Sequence, residues 1–259
     1  GEDPRVRLAD WMTAPDNPFF ARAIVNRVWG HYFGVGLVHP IDDMRATNPA
    51  SNPKLLDALA KDFVEHKFDL KHLMKVILTS RLYGLSSLPT EDNRADTRNY
   101  ARYYSRRMAP HVLLDAISSS TGVWIKFEDY PEVKKAVLLP NERGRSDFLE
   151  IFGRSERTTP CECETSLAPN LSQVLYLLNS EELERRLNGQ TGVAADLSAA
   201  DKPAEDVITE LFLRTFSRPP RPDELAEAVG RFKKSDERRA AVEDLLWTLL
   251  NSKEFLFNH

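Results

Sequence analysis

Apolar residues recur at spacings of three and four along most of this chain, and residues that start or stop helices stand between the apolar runs. Asp3-Pro4 offers a capping side chain followed by proline at the first helical position, with Leu8 and Trp11 behind it. Asn17-Pro18 repeats the device ahead of a broad apolar face of Phe20, Ala21, Ala23, Ile24, Val28 and Trp29, and Gly34 and Gly36 close that run. A loop over 35–51 carries Pro40, Asp42, Asp43, Asn48 and Pro49. Asn52-Pro53 opens the next helix, in which Leu55, Leu56, Leu59, Phe63 and Val64 have helical spacing. Asp69 caps another, with Leu73, Met74, Ile77, Leu78 and Leu82 on one face and Gly84 at its exit.

The stretch 86–97 is polar and turn-rich and reads as a surface loop. Helix is expected over 110–121, stopped by Gly122, and again over 170–178 with a continuation through 181–187. Small residues over 189–200 suggest a loop. Three more helices follow, over 204–216, 222–233 and 236–250, separated by the Arg218-Pro219-Pro220 breaker and a charged turn. Residues 123–168 differ: Pro140, Gly144, Gly153 and Pro160 interrupt a charge-rich stretch with no sustained helical period. Short strands are expected there at 137–139 and 148–152. The pattern predicts an all-α fold class: one irregular multi-helix domain over 1–259, with 123–168 as a loop-rich insertion packed on it.

Composition changes this picture little. The chain carries 35 basic and 39 acidic residues, and that near balance gives no general attraction to nucleic acid, so none is expected as a partner. No apolar run is long enough to span a bilayer. Two cysteines are too few for a disulfide-built scaffold, and without a Cys-x-x-Cys-His motif no covalent haem is expected. The opening Gly1-Glu2-Asp3-Pro4 is not a signal peptide and reads as a cut within a longer protein.

Candidate chemistry is sparse. There is no nucleophile elbow, no phosphate-binding glycine loop and no His-Glu-x-x-His zinc motif. Asp42 and Asp43 stand near His39, Arg45 and Asn48, which makes Asp42, Asp43 and His39 the candidate catalytic residues. Neighbouring carboxylates do acid–base work when their surroundings pull their pKa values apart, and otherwise they cap turns and face solvent. Cys161 and Cys163 flank Glu162, and three readings stay open for them: a soft-metal site, a strained and labile disulfide, or two reduced thiols packed as small side chains. A metal there needs further ligands, and His31, His39, His66, His72 and His111 are scattered. No other cofactor is expected.

Arg143, Arg145, Arg154 and Arg157 are candidate anion ligands, with Asp147, Glu150 and Glu156 placed among them to pair locally instead. Arg94, Arg98, Arg102 and Arg106 recur every fourth position, interleaved with Tyr100, Tyr103, Tyr104 and Arg107. On a helix they form one basic stripe suited to phosphate or sulfated sugars.

Several segments together carry a resemblance. The stretch 17–29 reads Asn-Pro-Phe-Phe-Ala-Arg-Ala-Ile-Val-Asn-Arg-Val-Trp, 33–38 reads Phe-Gly-Val-Gly-Leu-Val, and 51–60 reads Ser-Asn-Pro-Lys-Leu-Leu-Asp-Ala-Leu-Ala. Cys161-Glu-Cys163, the run 173–179 and the run 246–258 complete the set. The chain resembles the planctomycete-specific C-terminal domain of unknown function, found in large proteins that also carry planctomycete cytochrome c domains. The resemblance brings no catalytic residues. It implies an extracytoplasmic location, periplasmic or at the cell surface, with other domains of the same polypeptide, or a protein or polysaccharide, as partners. Thr165 stands where that family's segment usually has arginine. The leading expectation is a non-catalytic interaction or structural domain of an exported multidomain protein. The alternatives are a hydrolase or lyase of anionic polysaccharide, using Asp42 or Asp43 with arginines from 143–157, and a redox or metal role at Cys161 and Cys163.

Overall fold

The computed structural model describes residues 3–141, 144, 146–154, 170–235 and 237–258. Helix carries the fold, as the apolar rhythm predicts, and the buried side chains sort into two hydrophobic cores. The chain divides accordingly into a unit ending at Arg106 and a unit running from Arg107 to Asn258.

The first unit holds α1 (Pro4–Met12), α2 (Phe20–Phe33), α3 (Pro53–Glu65) and α4 (Leu70–Leu78). Asp3, Asn52 and Asp69 cap α1, α3 and α4, each accepting backbone N–H bonds from the first turn. Asn17 acts one step earlier than the sequence suggests: its Oδ1 accepts from the amides of Phe19 and Phe20, and α2 begins at Phe20. Val25, Trp29 and Phe33 of α2 are buried with Leu56, Leu59 and Phe63 of α3 and Leu73 and Ile77 of α4. Burying side chains of this size contributes about 1.5–3 kcal/mol each relative to exposure. The α4 helix stops at Leu78, short of the expected exit at Gly84, because Thr79 and Ser80 turn their hydroxyls back onto the Lys75 and Ile77 carbonyls.

The second unit holds α5 (Pro110–Thr121), α6 (Asp147–Ile151), α7 (Leu171–Asn179), α8 (Glu181–Asn188), α9 (Val193–Ala199), α10 (Ala204–Phe216), α11 (Pro222–Lys234), α12 (Arg238–Leu250) and α13 (Lys253–Leu256). Its core is centred on Leu113, Leu114, Phe148, Phe152, Val207, Leu211, Val242 and Leu246. Three local expectations are corrected. Residues 136–138 form a 3-10 turn rather than a strand, with Asp115 accepting the amides of Ala136 and Val137. Residues 148–152 lie mostly in α6, because Phe148 and Phe152, four apart, stack at 4.1 Å on a helical face. Within 189–200, α9 replaces the expected loop: Val193, Ala194 and Leu197 are buried, and alanine is the strongest helix former. Extended structure among the described residues is limited to the strands Arg106–Arg107 and Phe257–Asn258 and a bridge between Phe127 and Tyr130. No described helix is long and apolar enough to cross a membrane.

Candidate metal-ligating cluster and charged sites

The corner between α3 and α4 brings together a carboxylate and two imidazoles. Asp62 and His66 are four apart and share a face at the end of α3, where His66 is the C-cap residue. Lys67 and Phe68 then adopt positive φ, 55° and 59°, and reverse the chain. Phe68 is held through this turn by its amide on the Phe63 carbonyl at 2.9 Å and by edge-on contacts with Phe63 and Phe20. Asp69 opens α4 and accepts the amides of Lys71 and His72. The His66 and His72 rings stack at 3.7 Å, 14° from parallel.

His72 Nε2 lies 2.9 Å from Asp62 Oδ2, and His66 Nδ1 lies 2.8 Å from the Asp62 carbonyl oxygen. Asp62, His66 and His72 each offer a ligand atom, and these atoms lie within 4.8 Å of one another. Imidazole and carboxylate are donors for zinc, copper and nickel. In the sequence these histidines look scattered. The local signal that links them is Asp-x-x-x-His at a helix end, followed across a short turn by a third donor.

The loop carboxylates singled out from the sequence are ion-paired. Asp42 pairs with Arg27 of α2. Asp43 accepts from Arg45 Nε at 2.6 Å and Nη2 at 2.7 Å, and that guanidinium holds its carboxyl below the usual carboxylate range. His39 contributes its carbonyl, which accepts from Asn48 Nδ2. Of the four candidate anion ligands, Arg154 donates to the Gly144 carbonyl at 2.7 Å, while Arg143, Arg145 and Arg157 lie outside the described residues. Cys161 and Cys163 lie outside them as well.

The arginines at 94, 98, 102 and 106 form no helical stripe, because 86–105 contains no helix. Asp96 organises that segment instead. Its carboxylate accepts the amides of Arg98, Asn99 and Ala101 and the Tyr104 hydroxyl, and those donors, the Ala101 amide foremost, hold it well below the usual range. Tyr100 and Tyr103 are buried, donating to the carbonyls of Val35 and Tyr32, and burial pushes the Tyr100 hydroxyl up to about 12. Arg98 donates to the Pro49 carbonyl, and Arg102 lies over the Tyr104 ring.

A groove of about 420 Å³ between α10, α11 and α12 is lined by Phe212, Ala228, Phe232, Leu245 and Leu249. The acids at its rim, Glu224 and Glu227, are paired with Arg218 and Arg231. The α7 helix presents a different surface. Leu171, Val174, Leu175 and Leu178 follow the i, i+3, i+4, i+7 rule, yet are 72%, 49%, 49% and 46% exposed. The opposite face of α7 buries Leu177 and Gln173, whose side-chain amide donates to the Ile151 carbonyl.

The sequence model of the family described as PSD1, protein of unknown function (DUF1553), matches residues 4–231. No curated protein and no solved structure shows a matching similarity.

Proposed function

The chain belongs to this family of proteins of unknown function, and from that premise we propose that it is a non-catalytic interaction domain which docks another domain of its own polypeptide onto α7. The carrying observation is the stripe of Leu171, Val174, Leu175 and Leu178, which no described residue covers, an apolar seam of the kind that one helix presents to another. Monomeric proteins rarely leave such seams in water, because each apolar side chain buried adds roughly 1.5–3 kcal/mol. The pairing of Asp42 and Asp43 with arginines supports a structural use of that loop over acid–base work. The resemblance of 17–29 and 246–258 to the planctomycete-specific domain supports an extracytoplasmic setting, in a polypeptide that also carries cytochrome c domains.

The test uses the full-length polypeptide with Leu175 replaced by the photoreactive residue p-benzoylphenylalanine. Illumination followed by peptide mass spectrometry is expected to give adducts to a segment of the same polypeptide outside these 259 residues. Adducts confined to these residues, or only water-quenched product, overturn the reading.

A further inference from the structure

We propose that Asp62, His66 and His72 bind one divalent transition-metal ion, with zinc the ion that fits best. The inference is independent of the docking surface on α7. Two imidazoles and one carboxylate make a three-donor set that leaves a fourth position to water.

His66 Nδ1 lies 3.3 Å from Asp62 Oδ1 and is occupied by the Asp62 carbonyl, so ligation falls to Nε2 once the ring has turned. A carbonyl oxygen only accepts, so the 2.8 Å contact with the Asp62 carbonyl places the proton on His66 Nδ1 and leaves the Nε2 lone pair bare. A histidine that donates one ring N–H to a backbone carbonyl while its other nitrogen faces the metal is the usual arrangement around bound ions. His72 Nε2 shares a proton with Asp62 Oδ2 at 2.9 Å. An ion with bonds of about 2.0–2.2 Å takes the place of that hydrogen bond between the two atoms with a small widening, and the imidazole stays neutral by carrying its one proton on Nδ1 instead.

The donors are held by their neighbours in the chain. Asp62 precedes the buried Phe63, and His72 precedes the buried Leu73. Ligation by both imidazoles requires the rings to turn out of their stack. His66, 47% exposed at a helix end, has the freedom to do so, and His72 at 27% leaves a path for the ion from solvent.

The experiment uses the 259-residue chain, untagged, with Cys161→Ser and Cys163→Ser to remove the other soft donors. Zinc chloride is titrated calorimetrically, and cobalt(II) chloride is followed by visible absorption. The expected result is one ion per chain and a loss of about tenfold or more in affinity for His66→Gln and for His72→Gln. Helical circular dichroism shows whether each variant is folded. His66→Gln alters a half-exposed side chain and keeps the test decisive should His72→Gln unfold. Absence of saturable one-to-one binding, or unchanged affinity in the folded variants, overturns the proposal. Nitrogen-15 shifts of the histidine rings on zinc addition give a second reading, since only two of the rings are expected to move.

Discussion

Asn26 pairs with both polar groups of Val38: its Oδ1 accepts the Val38 amide at 2.8 Å and its Nδ2 donates to the Val38 carbonyl at 2.9 Å. The same Nδ2 donates to the Ile41 carbonyl at 2.8 Å. Asn26 is fully buried, so one side chain supplies the hydrogen bonds that the incoming loop cannot obtain from water. Asn26→Leu is expected to destabilise the first unit by about 2–4 kcal/mol, because each buried group left unpaired costs about 1–3 kcal/mol. Urea unfolding followed by tryptophan fluorescence reads this, Trp29 lying one turn away. A loss below about 1 kcal/mol contradicts the assignment.

Gly36 sits inside that clamp. A Cβ added there would stand 2.3 Å from the Val38 carbonyl oxygen and 3.0 Å from Asn26 Oδ1. Gly36→Ala therefore strikes the same hydrogen bonds from the other side. Its cost in urea unfolding is expected to overlap with that of Asn26→Leu, the double variant losing clearly less than the sum of the singles. Strict additivity places the two effects in different structures.

The clamp also marks where the sequence is readable and where it is not. Helix caps depend on one residue and its near neighbours, so Asn52, Asp69, Pro110 and Pro222 announce their helices from local chemistry. Asn26 lies mid-helix, where asparagine is a poor choice on propensity, and its reason is a backbone twelve residues away. The Asp62, His66 and His72 cluster is half legible: the spacing of Asp62 and His66 is local, while His72 joins only through the positive-φ turn at Lys67 and Phe68. The arginine periodicity at 94–106 misleads because four-residue spacing implies a stripe only on a helix, and Asp96 captures the amides that a helix would use.

Acid is expected to release the bracket around Arg218. Glu224 accepts from Arg218 and from Arg221, while Glu254 accepts from Arg218 Nε and Nη2 at 2.7 and 2.8 Å. The Arg218 guanidinium is the main cause that holds the Glu224 carboxyl below its ordinary range. A carboxyl depressed on folding stabilises the native state above its unfolded pKa, about 4.3, and loses that contribution as pH falls through the folded value. Glu224→Gln is therefore expected to cost about 1 kcal/mol at pH 7, the modest figure reflecting partial exposure. The gap to the parent protein closes as pH falls below about 4. Parallel thermal melts from pH 7 to pH 3 check this, and a gap that widens in acid reverses the sign of the argument.

Arg186 is the charge most deeply placed among the described ion pairs, with 6% of its side chain exposed. It donates to Ser118 Oγ of α5 at 2.9 Å and to Glu182 one turn back on α8, and Glu182 in turn accepts from the Tyr176 hydroxyl of α7. Burial, reinforced by Glu182, pushes the Tyr176 phenol up. Three helices thus share one chain of polar contacts. Taking a guanidinium out of water is expensive, and the neighbouring carboxylate offsets that cost. Glu182→Ala should then destabilise the second unit by about 3–5 kcal/mol, since it leaves a buried positive charge without its partner. Arg186→Met combined with Glu182→Leu removes both charges and fills similar volume, and it should recover most of the loss. Denaturant unfolding of the single and double variants separates the alternatives. A double variant no more stable than Glu182→Ala means that the network holds α5, α7 and α8 in register through its hydrogen bonds, rather than merely neutralising a buried charge.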